Sequence, residues 1–118
     1  MERFYCKTKI ISGAGAVSAL AELGSKRLLM VTDPYFADNG TAQRLAALSK
    51  AEKTEIFSGI KPDPTVELAA EGTAVVKRFQ PDAIVALGGG SAMDCAKAMA
   101  YFAGRQVRLV AIPTTSGS

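Results

Sequence analysis

A run of three glycines, Gly88, Gly89 and Gly90, is the stretch of this sequence best suited to bind a ligand. It follows an apolar run over residues 82–87, and an unbroken apolar run bounded by glycines is typical of a buried parallel strand. A helical pattern follows over 93–103. Glycines allow a sharp turn and a close approach of backbone to ligand, because they lack a Cβ atom. A tight connection without a ligand is the alternative, but consecutive glycines lower stability and therefore favour a binding role.

The chemistry expected at this turn is anion binding. Ser91 is a good N-cap residue, and Asp94 three positions later would complete a capping box with it. The N–H groups of a helix N-terminus are donors for an anion, and the helix dipole favours negative charge there. We therefore predict that a phosphate group binds where the strand, the glycine turn and the helix meet.

A second candidate residue is Asp33, which follows an apolar segment predicted as a strand over 26–32 and precedes Pro34. Ligands bind at the carboxyl ends of strands in open α/β sheets. A carboxylate there can accept hydrogen bonds from both ribose hydroxyls and would repel a 2′-phosphate, so it favours NAD over NADP. The alternative is an ordinary turn aspartate before proline. The nearby glycine turn favours the binding role.

A third candidate is the hydroxyl cluster Thr114, Thr115, Ser116 and Ser118, which follows the last predicted strand. Hydroxyl and N–H groups in a loop beyond a strand suit phosphate and ribose oxygens. The alternative is a solvated linker. The cluster counts as a binding element only in combination with the glycine turn and Asp33.

The elements that position these residues alternate along the chain. We predict strands over 4–11 (a strand or a hairpin arm), 26–32, 55–57, 82–87 and 107–112, and helices over 13–23, 41–50, 65–79 and 93–103, the last closed by Gly104. The inward residues are predicted to be Ala42, Leu45, Ala46 and Leu48 in one helix and Val66, Ala69, Ala70, Thr73 and Val76 in another. Such alternation implies right-handed crossovers and an α/β fold, a parallel sheet with helices on both faces.

Composition limits the function classes. With 118 residues, 48% of them hydrophobic and 21% charged, the chain fits one globular domain. The net charge of +3 is scattered, which argues against nucleic acid or membrane partners. Two distant cysteines form no disulfide framework, so we expect a cytoplasmic protein. The absence of histidine excludes a Ser-His-Asp triad or a histidine-built metal site in these residues, so we assign no catalytic and no metal-binding residue.

Four motifs together resemble the iron-containing (group III) alcohol dehydrogenase family. They are Val31-Thr32-Asp33-Pro34, Pro62-x-Pro64-Thr65, Gly88-Gly89-Gly90-Ser91-x-x-Asp94-x-Ala96-Lys97 and Ile112-Pro113-Thr114-Thr115. The resemblance covers essentially the whole chain and implies a Rossmann-like N-terminal domain. It also implies that Gly89 to Asp94 bind the pyrophosphate, that Asp33 binds the ribose, and that Thr114 and Thr115 complete the site. Ala92 departs from the family pattern, where proline is frequent.

The resemblance implies that residues 1–118 are the NAD-binding half of a longer enzyme that interconverts a primary alcohol or diol and its aldehyde. The family holds iron or zinc through an aspartate and histidines in a helical C-terminal domain, which this chain lacks, so we expect the fragment to be inactive alone. An exposed apolar face and a homo-oligomer are also expected. The alternatives are a dehydroquinate synthase-like or glycerol dehydrogenase-like NAD enzyme, or a non-catalytic nucleotide-binding module.

Overall fold

In the part of the chain that the structure describes, five parallel strands form one sheet, with helices packed on both of its faces. The computed structural model describes residues 8–10, 15–59, 66–104 and 107–113. The strands are β1 (Thr8–Ile10), β2 (Arg27–Thr32), β3 (Lys53–Phe57), β4 (Ala83–Gly88) and β5 (Arg108–Pro113). The helices are α1 (Gly15–Glu22), α2 (Pro34–Asp38), α3 (Thr41–Leu48), α4 (Val66–Phe79) and α5 (Gly90–Ala103).

The strand order in the sheet is β1-β5-β4-β2-β3, and every neighbouring pair is parallel. The predicted parallel sheet is therefore confirmed. The first strand pairs in parallel with β5, so the described part of the predicted segment 4–11 is a strand of the sheet. Central strand β4 is buried along its whole length, as the apolar run predicts.

Two hydrophobic clusters place the helices on opposite faces. On one face, α1, α2 and α3 contribute Leu20, Phe36, Ala42, Leu45 and Ala46, which share a cluster with Leu28, Met30, Val85 and Leu87 of the sheet. On the other face, α4 and α5 contribute Leu68, Val76, Phe79, Ala96 and Met99, which share a cluster with Leu29, Val31, Ile84 and Ala86. Odd and even positions of β2 and β4 thus serve different faces, because successive side chains of a strand point in opposite directions.

Two predicted helix faces are partly wrong. Leu48 is 37% exposed, because the buried stripe of α3 passes from Ala42 through Leu45 and Ala46 to Ser49, its C-cap. In α4, Ala70 is exposed, and the buried positions are Leu68, Gly72, Val76 and Phe79. Because α4 contains several alanines, its sequence pattern did not distinguish the buried face from the exposed one.

Gly72 explains the true orientation of α4. A Cβ atom at Gly72 would lie 2.5 Å from both Cγ and Sδ of Met99, so a side chain at this position would force Met99 to move. Helix α5 ends as predicted, with Gly104 in the left-handed conformation (φ 69°).

The amino ends of three strands are held together by one carboxylate, Asp82. Its Oδ2 accepts hydrogen bonds from the backbone N–H groups of Lys26 (2.8 Å) and Arg27 (3.1 Å). Its Oδ1 accepts one from the hydroxyl of Ser25 and lies 3.6 Å from the guanidinium of Arg108. Burial alone would raise the pKa of Asp82, but these hydrogen bonds and the charge of Arg108 outweigh it and lower the pKa below its usual range.

This lowered pKa predicts a loss of stability in acid. A carboxyl whose pKa is lower in the folded state stabilises the protein above the pKa of the unfolded chain, about 3.9, and that contribution is lost as pH falls through the folded pKa. We expect Asp82→Asn to be less stable than the wild type at pH 6 to 7, with the gap narrowing below about pH 4. Urea unfolding midpoints between pH 2.5 and 7 measure it. Asp38→Asn, at an exposed position of α2, is the control. A gap independent of pH would contradict the assignment.

Candidate functional site at the carboxyl edge of the sheet

The carboxyl ends of β2, β4 and β5 lie side by side. In the register of the sheet, Thr32 is opposite Leu87 and Gly88 is opposite Pro113. The chain leaves β2 toward the face that carries α2 and α3, and it leaves β4 toward the face that carries α5. Adjacent strands whose connections go to opposite faces create a crevice at their carboxyl ends, where open α/β sheets bind ligands.

The glycine turn lies at this crevice, and its three glycines have different roles. Gly88 ends β4, is buried, and has φ of 133°, a conformation that residues with a side chain rarely adopt. Gly89 is the N-cap of α5 with an extended backbone (φ −87°, ψ −166°), and Gly90 is the first helical residue.

The predicted capping box of Ser91 and Asp94 is therefore wrong. The helix begins before Ser91, so Ser91 is its second residue and Asp94 is exposed in the second turn, too far along for a capping box. Glycine is an acceptable N-cap, and the glycine run allows the helix to begin earlier than the side-chain signals suggest. A role for Ser91 and Asp94 in cofactor binding stays a prediction.

The turn leaves space for a ligand. Gly89 and Gly90 are exposed, and a Cβ atom at either would meet nothing within 4 Å. The carbonyl of Gly89 accepts from the N–H groups of Ala92 (3.2 Å) and Met93 (3.4 Å), which opens the hydrogen-bond ladder of α5. The N-terminus of α5, with the positive end of the helix dipole, therefore lies at the turn.

Asp33 lies directly beside this turn. Its Oδ2 is 3.7 Å from the position that a Cβ atom of Gly88 would occupy, and Asp33 is half-buried. Its Oδ1 accepts a hydrogen bond from the N–H of Phe36 at 3.3 Å, which caps the short helix α2. The structure thus brings together two of the three predicted clusters, although they are 55 positions apart in the sequence.

Helix α2 and Phe36 were not predicted. The ring of Phe36 is buried, with Cε2 3.8 Å from the same Cβ position of Gly88, so it packs beneath the turn. The signal was present in the sequence, because aspartate at the N-cap followed by Pro34 at the first helical position is typical of a helix start. Five residues were too few to show a helical period.

The third cluster lies outside the described residues. Thr114, Thr115, Ser116 and Ser118 all follow Pro113, the last described residue. The segment 60–65, which includes Pro62 and Pro64, also lies outside them. The roles of Thr114, Thr115 and Ser118 stay predictions.

Cys95 lies in α5 but belongs to the hydrophobic core. Burial raises the pKa of the Cys95 thiol, which packs 3.7 Å from the sulfur of Met99 and has the role of a core residue. Across the described ranges, no three histidine, cysteine, aspartate or glutamate residues are grouped to hold a metal ion.

No helix in the described part of the chain is long and apolar enough to cross a membrane.

Comparison with known proteins decides the family. The family model described as iron-containing alcohol dehydrogenase matches residues 7–118. The chain belongs to the iron-containing alcohol dehydrogenase family. The resemblance suggested by the sequence motifs is therefore confirmed, and so is the Rossmann-like fold.

Known relatives are longer dehydrogenases. The chain is 37% identical to 1-propanol dehydrogenase PduQ of Citrobacter freundii, matching all of this chain and 33% of that enzyme. It is 44% identical to part of the bifunctional aldehyde-alcohol dehydrogenase AdhE of Escherichia coli K12, over 64% of this chain and 9% of that protein. The chain thus spans about a third of the length of PduQ.

A solved structure with a cofactor shares the fold. Sulfoacetaldehyde reductase from Bifidobacterium kashiwanohense, in complex with NAD+, superposes with a TM-score of 0.77 at 28% identity. The match covers 100% of this chain and 37% of that one.

The different roles of the glycines predict different responses to alanine. Gly88→Ala should lower the free energy of unfolding by about 1–3 kcal/mol, because alanine is strained at a φ of 133°. Gly90→Ala should keep or raise stability by up to about 1 kcal/mol, since alanine favours the helix and its methyl group enters open space. Urea titrations of both variants measure the difference. Equal stability of the two would contradict the turn geometry.

Proposed function

We propose that this chain is the cofactor-binding half of an NAD-dependent, metal-dependent alcohol dehydrogenase that interconverts a primary alcohol or diol and its aldehyde. One observation carries the proposal: Asp33 lies 3.7 Å from the Cβ position of Gly88, at the crevice between β2 and β4. A carboxylate and an open helix N-terminus at such a crevice match the ribose and the pyrophosphate of a dinucleotide.

The residues divide the binding task. The backbone of Gly89, Gly90 and Ser91 would hold the pyrophosphate, because N–H groups and a helix dipole bind anions without a positive side chain. Asp33 would accept hydrogen bonds from the adenosine ribose hydroxyls and would repel a 2′-phosphate. Asp94, Thr114, Thr115 and Ser118 are proposed as further contacts. The bound nicotinamide would exchange a hydride with the substrate.

The metal is proposed to bind outside this chain. The sequence has no histidine, and the described residues lack a cluster of ligating side chains, so they do not fit an iron or zinc site. In the whole enzyme, the metal would polarise the substrate oxygen. We therefore expect no turnover from the 118 residues alone.

The substrate class is proposed from the relatives, and the location from the composition. PduQ is named for 1-propanol, a primary alcohol, which supports an alcohol–aldehyde reaction for the whole protein. The match of the family model to residues 7–118 favours the dehydrogenase over a dehydroquinate synthase-like enzyme. We further propose a cytoplasmic location, on the cysteine usage noted above.

Removing the charge of Asp33 tests the cofactor assignment. Asparagine still caps a helix, so Asp33→Asn should preserve α2 while losing the negative charge. We expect NAD and ADP-ribose affinity to fall about tenfold or more, because hydrogen bonds to a charged group are lost. The ratio of NAD affinity to NADP affinity should also become smaller, because the negative charge that repels the 2′-phosphate is gone. Calorimetric titration of the chain with NAD, NADP and ADP-ribose measures both effects.

Two controls separate binding from folding. Asp38→Asn changes an exposed aspartate of the same helix and should bind as the wild type does. Gly90→Ala should stay folded but bind more weakly, since its methyl group would enter the space assigned to the pyrophosphate. Unchanged NAD affinity in both Asp33→Asn and Gly90→Ala would sink the proposal.

We also propose a homo-oligomer, supported by an exposed apolar groove. The groove has a volume of about 430 Å³ and is lined by Ala69, Ala70, Thr73, Ala74, Lys77 and Phe102. The ring of Phe102 is 61% exposed, and exposed apolar patches mark interaction surfaces.

Sedimentation velocity tests the role of this groove. The wild-type chain should sediment as a dimer or larger species at tens of micromolar, and Phe102→Ser should shift it toward the monomer. Leu48→Ser, at an exposed leucine on the opposite face, is the control and should change nothing. A monomeric wild type, or equal effects of the two variants, would refute the groove as the contact.

A further inference from the structure

Thr32 connects the two strands that carry the site. It is the last residue of β2, it is fully buried, and its hydroxyl donates a hydrogen bond of 2.9 Å to the carbonyl of Leu87. The two residues are also opposite each other at the end of the ladder between β2 and β4. The bond is therefore a side-chain link at the last position where these strands are paired.

The link joins the peptide groups that lead into the site. The carbonyl of Leu87 belongs to the peptide bond that enters Gly88, and the carbonyl of Thr32 belongs to the peptide bond that enters Asp33. One hydroxyl therefore fixes the direction of one entering peptide relative to the other. Asp33 and the turn remain adjacent only if both directions are held.

The turn itself supplies little restraint. Gly89 and Gly90 have no side chains, and their Cβ positions face open space, so backbone hydrogen bonds at the start of α5, and no side-chain packing, hold these two residues. Glycine also has the widest choice of backbone conformations. The position of the turn depends on how its first peptide is anchored, and the hydroxyl of Thr32 adds a side-chain anchor to the pairing of Gly88 with Pro113 in the sheet.

We propose that Thr32 is a positioning residue of the dinucleotide site, which holds the glycine turn in register with the ribose carboxylate of Asp33. This inference rests on the proposed function. It assigns Thr32 no contact with the cofactor, since its side chain is buried beneath the crevice.

Ser25 is a matched control for a purely structural role of the Thr32 hydroxyl, because its own hydroxyl also links β2 to β4. At the opposite edge of the sheet, the hydroxyl of Ser25 donates to Asp82 and so links the start of β2 to the start of β4. Both hydroxyls are buried, and both bridge the same pair of strands. Of the two, Thr32 lies at the carboxyl edge, where the candidate site is, and Ser25 lies at the amino edge. Replacing Ser25 should therefore lower stability without changing NAD affinity.

The experiment compares Thr32→Val, Thr32→Ser and Ser25→Ala. Valine keeps the shape of threonine without its hydroxyl, and serine keeps the hydroxyl. We expect Thr32→Val to weaken NAD and ADP-ribose binding about tenfold, Thr32→Ser to bind within about twofold of the wild type, and Ser25→Ala to lose stability with unchanged affinity. Calorimetry and urea unfolding supply the two measurements.

Amide NMR spectra distinguish failure of this inference from failure of the proposed function. Thr32→Val should shift or broaden the amide signals of Gly88, Gly89 and Gly90, while Ser25→Ala should leave them unchanged. If the wild type binds no dinucleotide, the proposed function fails, and these signals still decide whether Thr32 orders the turn. If the wild type binds and Thr32→Val binds equally well, or Ser25→Ala weakens binding as much, the positioning role is refuted.

Discussion

The parallel pairing of β2 with β4 is the constraint on which the rest of the structure depends. These strands are far apart in the sequence, yet they are neighbours at the centre of the sheet, and their side chains supply both hydrophobic clusters. The chain leaves them toward opposite faces, which opens the crevice between their ends. Their two edges are held by different chemistry, an anchored carboxylate at Asp82 and a buried hydroxyl at Thr32.

This pairing gives weakly restrained residues a defined relative position at the candidate site. Gly88, Gly89 and Gly90 have no side chains to pack, and Asp33 begins a helix of only five residues. Each segment alone would sample many conformations. Because both are extensions of buried strands, their relative position is set by the sheet, and the register that pairs Thr32 with Leu87 also places Asp33 beside Gly88.

Sequence reasoning predicted the parts of the site that follow from the order of elements. The strand ends, Asp33 and the glycine turn were identified because strand boundaries are marked by apolar runs and turn residues. The start of α5 was misplaced, because Ser91 carries a strong capping signal while the backbone of Gly89 already has the conformation of an N-cap. Capping rules rank residues by the hydrogen bonds that their side chains can make. They do not account for a run of glycines, whose backbone can take the N-cap conformation without a side chain.

Tertiary contacts decided what the sequence pattern could not. Alanine-rich α4 has several nearly equivalent apolar faces, and the close approach of Gly72 to Met99 selects one of them. That contact joins residues in different helices, so no local period contains it. The hydrogen bond of Thr32 could not be predicted for the same reason, since a threonine in an apolar strand is typical of β-structure in general. Its significance depends on its partner, the carbonyl of Leu87, which comes into reach only when β2 and β4 pair.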